Sequence, residues 1–117
     1  MLYSKSLTKS QKKQDIANLF IKWLKQNTGK GPQKIKVKIL DDSIEVLVEE
    51  ILTCLEKNLI KDRSNIKLIQ EVRNTFYKAQ SSKLASQISE IMNKIMTVDD
   101  IQESLLEDKV KFIIKIE

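Results

Sequence analysis

The chemistry open to this chain is limited to carboxylates, lysines and one cysteine, because its 117 residues include no histidine. Histidine is the side chain that most readily moves protons near neutral pH, and it is the commonest metal ligand. Ser-His-Asp and Cys-His catalytic arrangements and histidine-based metal sites are therefore excluded.

The cysteine and two pairs of aspartates are the remaining candidates for catalysis or metal binding. Cys54 falls in the first turn of a predicted helix, where the dipole favours a thiolate. No histidine can act as its base, so we interpret it as a small, half-buried residue. The pairs Asp41-Asp42 and Asp99-Asp100 could bind a hard cation. Adjacent strand residues point to opposite faces, so we interpret them as turn or surface residues and predict no catalytic, cofactor or metal site.

Two basic residues are candidates for contact with an anion or a partner. Arg73 lies in a predicted long helix and could bind a carboxylate or phosphate through two hydrogen bonds, the alternative being a solvated or salt-bridged arginine. Lys30 lies in Gly29-Lys30-Gly31-Pro32, which superficially resembles a phosphate-binding turn. A P-loop needs a longer glycine loop that leads into a helix. Because a strand is predicted after Pro32, a P-loop is excluded.

The charge is unevenly distributed along the chain, whose formal net charge is +5. Residues 1–38 hold ten lysines and one acid, Asp15, whereas the rest hold eleven basic and fifteen acidic residues. A basic segment can attract nucleic acid or anionic lipid, and the alternative is a solvated lysine-rich face. Trp23 and Phe20 could stack on bases, but their place on an apolar helical stripe favours the core.

Length and composition predict one folded domain, residues 1–117. A hydrophobic fraction of 41% with only 2 Gly and 1 Pro provides for a single core. No apolar run approaches the roughly 20 residues that span a bilayer, and the first residues lack the apolar stretch of a signal peptide. A single cysteine fits a reducing compartment. We therefore expect a soluble cytoplasmic protein without a transmembrane segment.

An amphipathic helix is predicted over residues 8–27, followed by a stop at Gly29 and Pro32. From residue 34 the apolar period changes to two, and it resumes after the pair 41–42, which predicts a β-hairpin. Pairing Val37 with Val46 in this hairpin also sets oppositely charged residues against each other on the other face, among them Lys38 and Glu45. A slip of one residue would pair apolar with charged side chains.

The second half of the chain predicts two helices and another hairpin. Thr53 and Glu56 form a capping box, so a short helix begins near Cys54. A helical stripe over 64–95 includes Val72, and alternation over 96–105 and 109–116 predicts two strands. The fold class is α+β in the order αββααββ, with antiparallel hairpins packed against the N-terminal amphipathic helix and the long central helix.

The length of the central helix predicts a homodimer. As one piece it would extend about 48 Å, against about 35 Å for the width of a compact domain of this size. Either one end of the helix projects or the helix breaks near Ser81-Ser82; because neither serine is a strong helix breaker, we predict projection. A projecting end would expose the apolar residues Leu84, Ile88, Ile91 and Ile95. A symmetric partner is the commonest cover for such a stripe, and free strand edges could pair in the same way.

The ordered motifs resemble the MpsC-like family, named for a sodium-translocating, membrane-potential-generating system. The resemblance spans most of the chain and rests on four landmarks: Gly29-Lys30-Gly31-Pro32 after the first helix, the strand entering Asp41-Asp42, Leu52-Thr53-x-x-Glu56, and Val72-Arg73. We interpret the signature positions as structural; they are Gly29, Gly31, Pro32, Asp41, Asp42, Thr53 and Glu56.

The resemblance implies a small soluble protein associated with a bacterial membrane system for cation or inorganic-carbon transport, and it implies no catalytic residue. We predict a non-enzymatic accessory or regulatory protein that acts through protein contacts, with a transporter subunit among its partners. Weak, non-sequence-specific nucleic-acid binding through the basic N-terminal third stays open, as does peripheral membrane binding through the first helix. Burial of Trp23 would argue against the membrane alternative.

Overall fold

Three helices and a four-stranded antiparallel sheet make up the described part of the chain, residues 8–117, in a computed structural model. The helices are α1 (Lys9–Thr28), α2 (Cys54–Leu59) and α3 (Ile66–Met92), with a 3-10 turn at Arg63–Asn65 between the last two. The strands are β1 (Lys34–Ile39), β2 (Ser43–Glu49), β3 (Met96–Ser104) and β4 (Lys109–Ile116). The predicted fold class and element order are confirmed.

Both ends of α1 lie within one residue of the predicted bounds. The side chain of Thr8 accepts a hydrogen bond from the Gln11 amide, and the side chain of Gln11 accepts one from the Thr8 amide. Gly29 ends the helix in the left-handed conformation, with φ of 81°, which a residue without Cβ adopts at little cost. The inner stripe packs on the sheet and consists of Ile16, Phe20, Trp23 and Leu24.

The register of the first hairpin is the predicted one. Val37 pairs with Val46, and Lys38 pairs with Glu45. Apolar side chains therefore face the core from both strands, and charged side chains face the opposite side of the sheet.

The last strand completes the centre of the sheet, whose order is β1-β2-β4-β3. Phe112 of β4 pairs with Val46 of β2 and packs against Phe20 and Trp23 of α1. Trp23 is 7% exposed and also stacks on Phe76 of α3, with ring centroids 5.3 Å apart. The prediction that Trp23 belongs to the core is confirmed, so the apolar stripe of α1 is not free to enter a membrane.

The long helix α3 runs unbroken past Ser81 and Ser82, but it does not project from the domain. Leu84, Ile88 and Ile91 are buried in the core, so the prediction that they form an exposed stripe is wrong. The physical reason is the shape of the molecule, which measures 49 × 24 × 22 Å and accommodates a helix of about 40 Å along its length. The homodimer stays a prediction without this support.

The predicted inner stripe of α3 is also wrong at one turn. Val72 is 57% exposed, whereas Arg73 is 5% exposed and faces the interior between Ile69 and Tyr77. At this turn, the inner face of α3 therefore has a charged residue at position 73, and the apolar residue at position 72 faces solvent.

The lysines of the N-terminal third that lie within residues 8–38 are divided between two sides of the molecule. Lys34, Lys36 and Lys38 of β1 are exposed on the face of the sheet opposite α1, since they alternate with the residues that pack on α1. Lys22 and Lys25 are exposed on the helical side. These lysines do not form one continuous basic surface, which weakens the nucleic-acid alternative.

Candidate functional site

The buried Arg73 is the centre of a polar network between α2, α3 and β3. Its Nη1 donates to both carboxylate oxygens of Glu56, at 3.1 and 3.0 Å, and its Nε donates to Glu103 Oε2 at 2.8 Å. Its Nη2 donates to the Tyr77 hydroxyl at 2.8 Å. Arg73 therefore clamps carboxylates, as its chemistry predicts, but they belong to its own chain.

Glu56 is positioned for this pairing by the capping box at the start of α2. Thr53 caps the helix by accepting from the Glu56 amide, and Glu56 Oε1 accepts from the backbone N–H of Thr53 at 3.0 Å and from its hydroxyl at 3.1 Å. The same carboxylate oxygen accepts from Arg73. The two signature positions thus fix one counter-ion of Arg73, which supports their interpretation as structural residues.

Glu103 reaches the network because a bulge changes the alternation of β3. The register shifts between Val98 and Asp100, so that Val98, Ile101 and Glu103 all face inward. Glu103 Oε2 accepts from the Tyr77 hydroxyl at 2.5 Å, while Oε1 is buried without a hydrogen-bond partner among the described residues. Tyr77 and Glu103 were not predicted as site residues. The spacing of Arg73 and Tyr77, one helical turn apart, is the signal available in the sequence.

Burial and neighbouring charges shift the pKa values of Tyr77 and Arg73. Burial raises the pKa of the Tyr77 hydroxyl above the ordinary value; the charge of Arg73 opposes this rise and Glu103 adds to it. Burial alone would lower the pKa of Arg73, but Tyr77, Glu103 and Glu56 raise it by more, so the guanidinium keeps its proton. An anion from outside would have to displace Glu56 or Glu103 to reach Arg73.

Lys30, the other predicted contact residue, holds the chain just before α2. Its Nζ donates to the carbonyl oxygen of Leu52 at 2.8 Å. The amides of Ile51 and Leu52 both donate to Asp108 Oδ1 at 2.9 Å. Asp108 adopts a left-handed backbone with φ of 52°. Contact of Lys30 or Arg73 with an anion or a partner stays a prediction, and both side chains already have partners within the chain.

The paired aspartates lie in two different settings. Asp41 and Asp42 occupy the β1–β2 turn, where they are exposed, and neither adopts a positive φ. Asp99 lies at the bulge of β3 and forms an ion pair of 3.4 Å with Lys115. Within residues 8–117 no three His, Cys, Asp or Glu side chains converge as a metal site.

Cys54 is exposed at the start of α2, so its interpretation as half-buried is wrong. It is the first residue after the Thr53 cap. Its neighbour Leu55 is also exposed, at 69%. The first turn of α2 therefore presents its apolar atoms to solvent.

An apolar groove of about 380 Å³ lies next to the Arg73 network. We call it the α2–α3 groove, and its lining residues are Asn27, Thr28, Thr53, Leu55, Glu56, Leu59, Ile69, Val72, Arg73 and Phe76. Leu55 and Val72 form its exposed walls, at 69% and 57% exposure. This volume is within the range of pockets that bind small molecules or inserted side chains.

Comparison with known proteins identifies a family. Residues 8–112, nearly the whole chain, match a family model. That family is described as "Na+-translocating membrane potential-generating system (MpsC)". Neither the curated proteins nor the solved structures gave a match. In the part of the chain that the structure describes, no helix has the length and apolar character needed to cross a membrane.

Proposed function

The chain belongs to the MpsC family, and from this premise we propose that it is a non-enzymatic accessory or regulatory protein of a bacterial membrane system for cation or inorganic-carbon transport. It acts through protein contacts, with a transporter subunit as the partner, in the cytoplasm or at the membrane surface. The family description supplies the link to a sodium-translocating system, and the contact mechanism is our proposal.

The α2–α3 groove is the observation that carries the contact mechanism. Leu55 and Val72 expose most of their side chains beside the partly buried Phe76 and Leu59, so apolar surface is available for burial by a partner. Apolar anchors that fill such a groove usually provide much of the binding energy of a protein interface.

The state of Arg73 supports a non-enzymatic role. An enzyme of this size without histidine would have to use carboxylates, lysines or Cys54. The one buried cluster of such groups among the described residues, Arg73 with Glu56 and Glu103, has its guanidinium already bonded within the chain. The cluster connects α2 to α3 and β3, and so it fixes the shape of the groove.

The proposal is tested by substituting the walls of the groove. Leu55→Asp with Val72→Asp should abolish complementation in cells that lack the gene, measured as membrane potential with a voltage-sensitive dye, and should prevent cross-linking to the transport subunit. Leu106→Asp is the matched control, because Leu106 is 65% exposed outside the groove. Normal complementation by the double variant, produced at the same level as the wild type, would contradict the proposal.

We also propose a homodimer, for which the strand edges remain as candidate surfaces. β1 and β3 are the outer strands of the sheet, so each has one edge of backbone N–H and C=O groups that are unpaired within the described part of the chain, and the same edge of a second copy could pair with them. Light scattering that reports only a 13.6 kDa species at micromolar concentration would refute the dimer.

A further inference from the structure

The outer edge of β1 has no partner strand in the described part of the chain. β1 is the first strand in the sheet order, and β2 pairs only with its inner edge. The Leu40 amide donates to the carbonyl oxygen of Ser43, so these two residues form a hydrogen-bonded pair. Because such pairs alternate along an antiparallel ladder, the N–H and C=O groups of Ile35, Val37 and Ile39 point away from β2. They form a row of donors and acceptors that an added strand can use.

Three lysines project from β1 on the open face of the sheet, opposite α1. Lys34, Lys36 and Lys38 are exposed, and no salt bridge within residues 8–117 involves them. Residues 1–7 contain no aspartate or glutamate, so that segment has no acid to neutralise them. β1 therefore has a column of positive charge along its free edge.

The acids beside these lysines also face lysines of β4. Glu45, which lies opposite Lys38, forms its ion pair with Lys111 of β4, at 3.8 Å. Glu49 lies between β1 and Lys109 of β4, which is directly opposite it. Each glutamate is thus flanked by lysines on both sides, and the lysines of β1 keep an excess of positive charge.

The face of this edge that lies toward α1 is apolar. Ile35, Val37 and Ile39 are only half-buried, since no outer strand covers them. Ile21 of α1 is 38% exposed, and it lies about 200° around the helix from Trp23, which stacks on α3. Because α1 packs on β1 and α3 packs on β3, Ile21 lies on the side of α1 toward the outer edge of β1.

We propose that β1 binds an extended segment of a partner protein, which joins the sheet as a further antiparallel strand. In this segment apolar and acidic residues alternate. Its apolar side chains cover Ile21 and the half-buried residues of β1, and its carboxylates lie opposite the lysines. Lys36 and Lys38 take the non-hydrogen-bonded positions of the new pair, where opposite side chains approach most closely.

The charge of the edge selects an acidic segment over a second copy of the chain. Lysines on an edge strand hinder its pairing with another copy, whereas opposite charges across a strand pair stabilise it. The outer edge of β3, which lacks such a lysine column, stays available to a second copy.

Fluorescence anisotropy with labelled peptides and the full chain tests the proposal. A peptide in which valine and glutamate alternate over six residues, the length of β1, should bind, and its affinity should fall as salt screens the charges. A peptide of the same length with lysine in place of glutamate should bind at least about tenfold more weakly.

Charge reversal on β1 should reverse this preference. Lys36→Glu with Lys38→Glu should bind the lysine peptide more tightly than the glutamate peptide, and both residues are exposed, so the fold should be retained. Lys78→Glu with Lys83→Glu is the matched control, because it changes the charge equally on α3, which packs on the other outer strand. It should leave the preference unchanged.

The backbone contacts are tested by Val37→Pro and by amide hydrogen exchange. Proline removes an N–H that points away from β2, so the variant should keep the β1–β2 ladder and bind the glutamate peptide about tenfold more weakly or less. In the wild type, the amides of Val37 and Ile39 should exchange faster than those of Lys36 and Lys38, and the glutamate peptide should slow them.

Several results would overturn the proposal. They are no binding of the glutamate peptide at low salt, equal binding of the two peptides, and an unchanged preference in Lys36→Glu with Lys38→Glu. A dimer that Val37→Pro dissociates would assign the edge to a second copy, and single-stranded RNA that binds where the glutamate peptide does not would assign the lysines to phosphates. The surface shares no residue with the α2–α3 groove, so its failure would not bear on the accessory role.

Discussion

Replacement of Arg73 by methionine should remove a large part of the stability of the protein. Methionine retains the apolar stem but leaves the carboxylates of Glu56 and Glu103, whose side chains are 15% and 6% exposed, without their cation. Breaking a buried pair in this way costs about 3–5 kcal/mol. A typical domain has a total stability of about 5–15 kcal/mol, so the variant should lose between about one fifth and nearly all of it. At roughly 4 °C per kcal/mol, its melting temperature should fall by about 12–20 °C.

Urea unfolding followed by tryptophan fluorescence measures this loss directly. Trp23 is the only tryptophan and is buried in the core, so its emission reports global unfolding. Arg63→Met is the matched control, because Arg63, the only other arginine, is exposed; it should change the stability by no more than about 0.5 kcal/mol.

The role of charge in this effect can be separated from packing by a second substitution. Adding Glu103→Gln to Arg73→Met removes one uncompensated carboxylate and should recover about 1–2 kcal/mol. A loss of less than about 1 kcal/mol for Arg73→Met alone is the value expected of an exposed pair. That result would refute the argument that the network is buried and strongly coupled.

Three further predictions concern pH, the thiol and a backbone turn. Because the pKa of Tyr77 is raised in the folded state and is about 10 in the unfolded state, stability should be constant below that pH and fall above it. Tyr77→Phe should make this fall smaller, as measured by the urea unfolding midpoint between about pH 8 and 10.5. The same pH dependence in the wild type and in the variant would count against burial of the Tyr77 hydroxyl. Cys54→Ser should change the free energy of unfolding by no more than about 0.5 kcal/mol and should leave membrane-potential complementation intact. In the folded wild-type protein, the Cys54 thiol should react with a chromogenic disulfide reagent as fast as a free thiol. A thiol that reacts only after unfolding would show that Cys54 is covered. Asp108→Ala should lower the free energy of unfolding in urea by about 2–3 kcal/mol, because it removes the acceptor of two amides and places alanine at φ of 52°. Asp108→Asn should lower it by less than half as much. Equal losses in the two variants would show that the side-chain acceptor is not the cause.

The features that the sequence predicted correctly depend on residues close in sequence or on the adjacent strand of a hairpin. The first hairpin was predictable because both of its faces agree on one register, with Val37 against Val46 and Lys38 against Glu45. The capping box of Thr53 and Glu56 was predictable because both residues lie within one helical turn.

The buried position of Arg73 could not be predicted, because its cause lies elsewhere in the chain. Glu103 is 30 residues away and faces inward only because the strand has a bulge. Apolar periodicity alone assigns Val72 to the core. Nothing in the sequence around Arg73 indicates that the carboxylates of Glu56 and Glu103 meet at its side chain. The 49 Å length of the molecule could not be predicted either, because the scaling rule for domain size assumes an average compact shape.

The position of β4 inside the sheet has a consequence for biosynthesis. This strand is the last element of the described fold, yet it lies between β2 and β3, and Val110 pairs with Val48, far earlier in the chain. During synthesis, the apolar faces of the first hairpin and of both long helices have no central strand to cover them until β4 has left the ribosome. The core of this domain can therefore be completed only once β4 is available to enter the sheet.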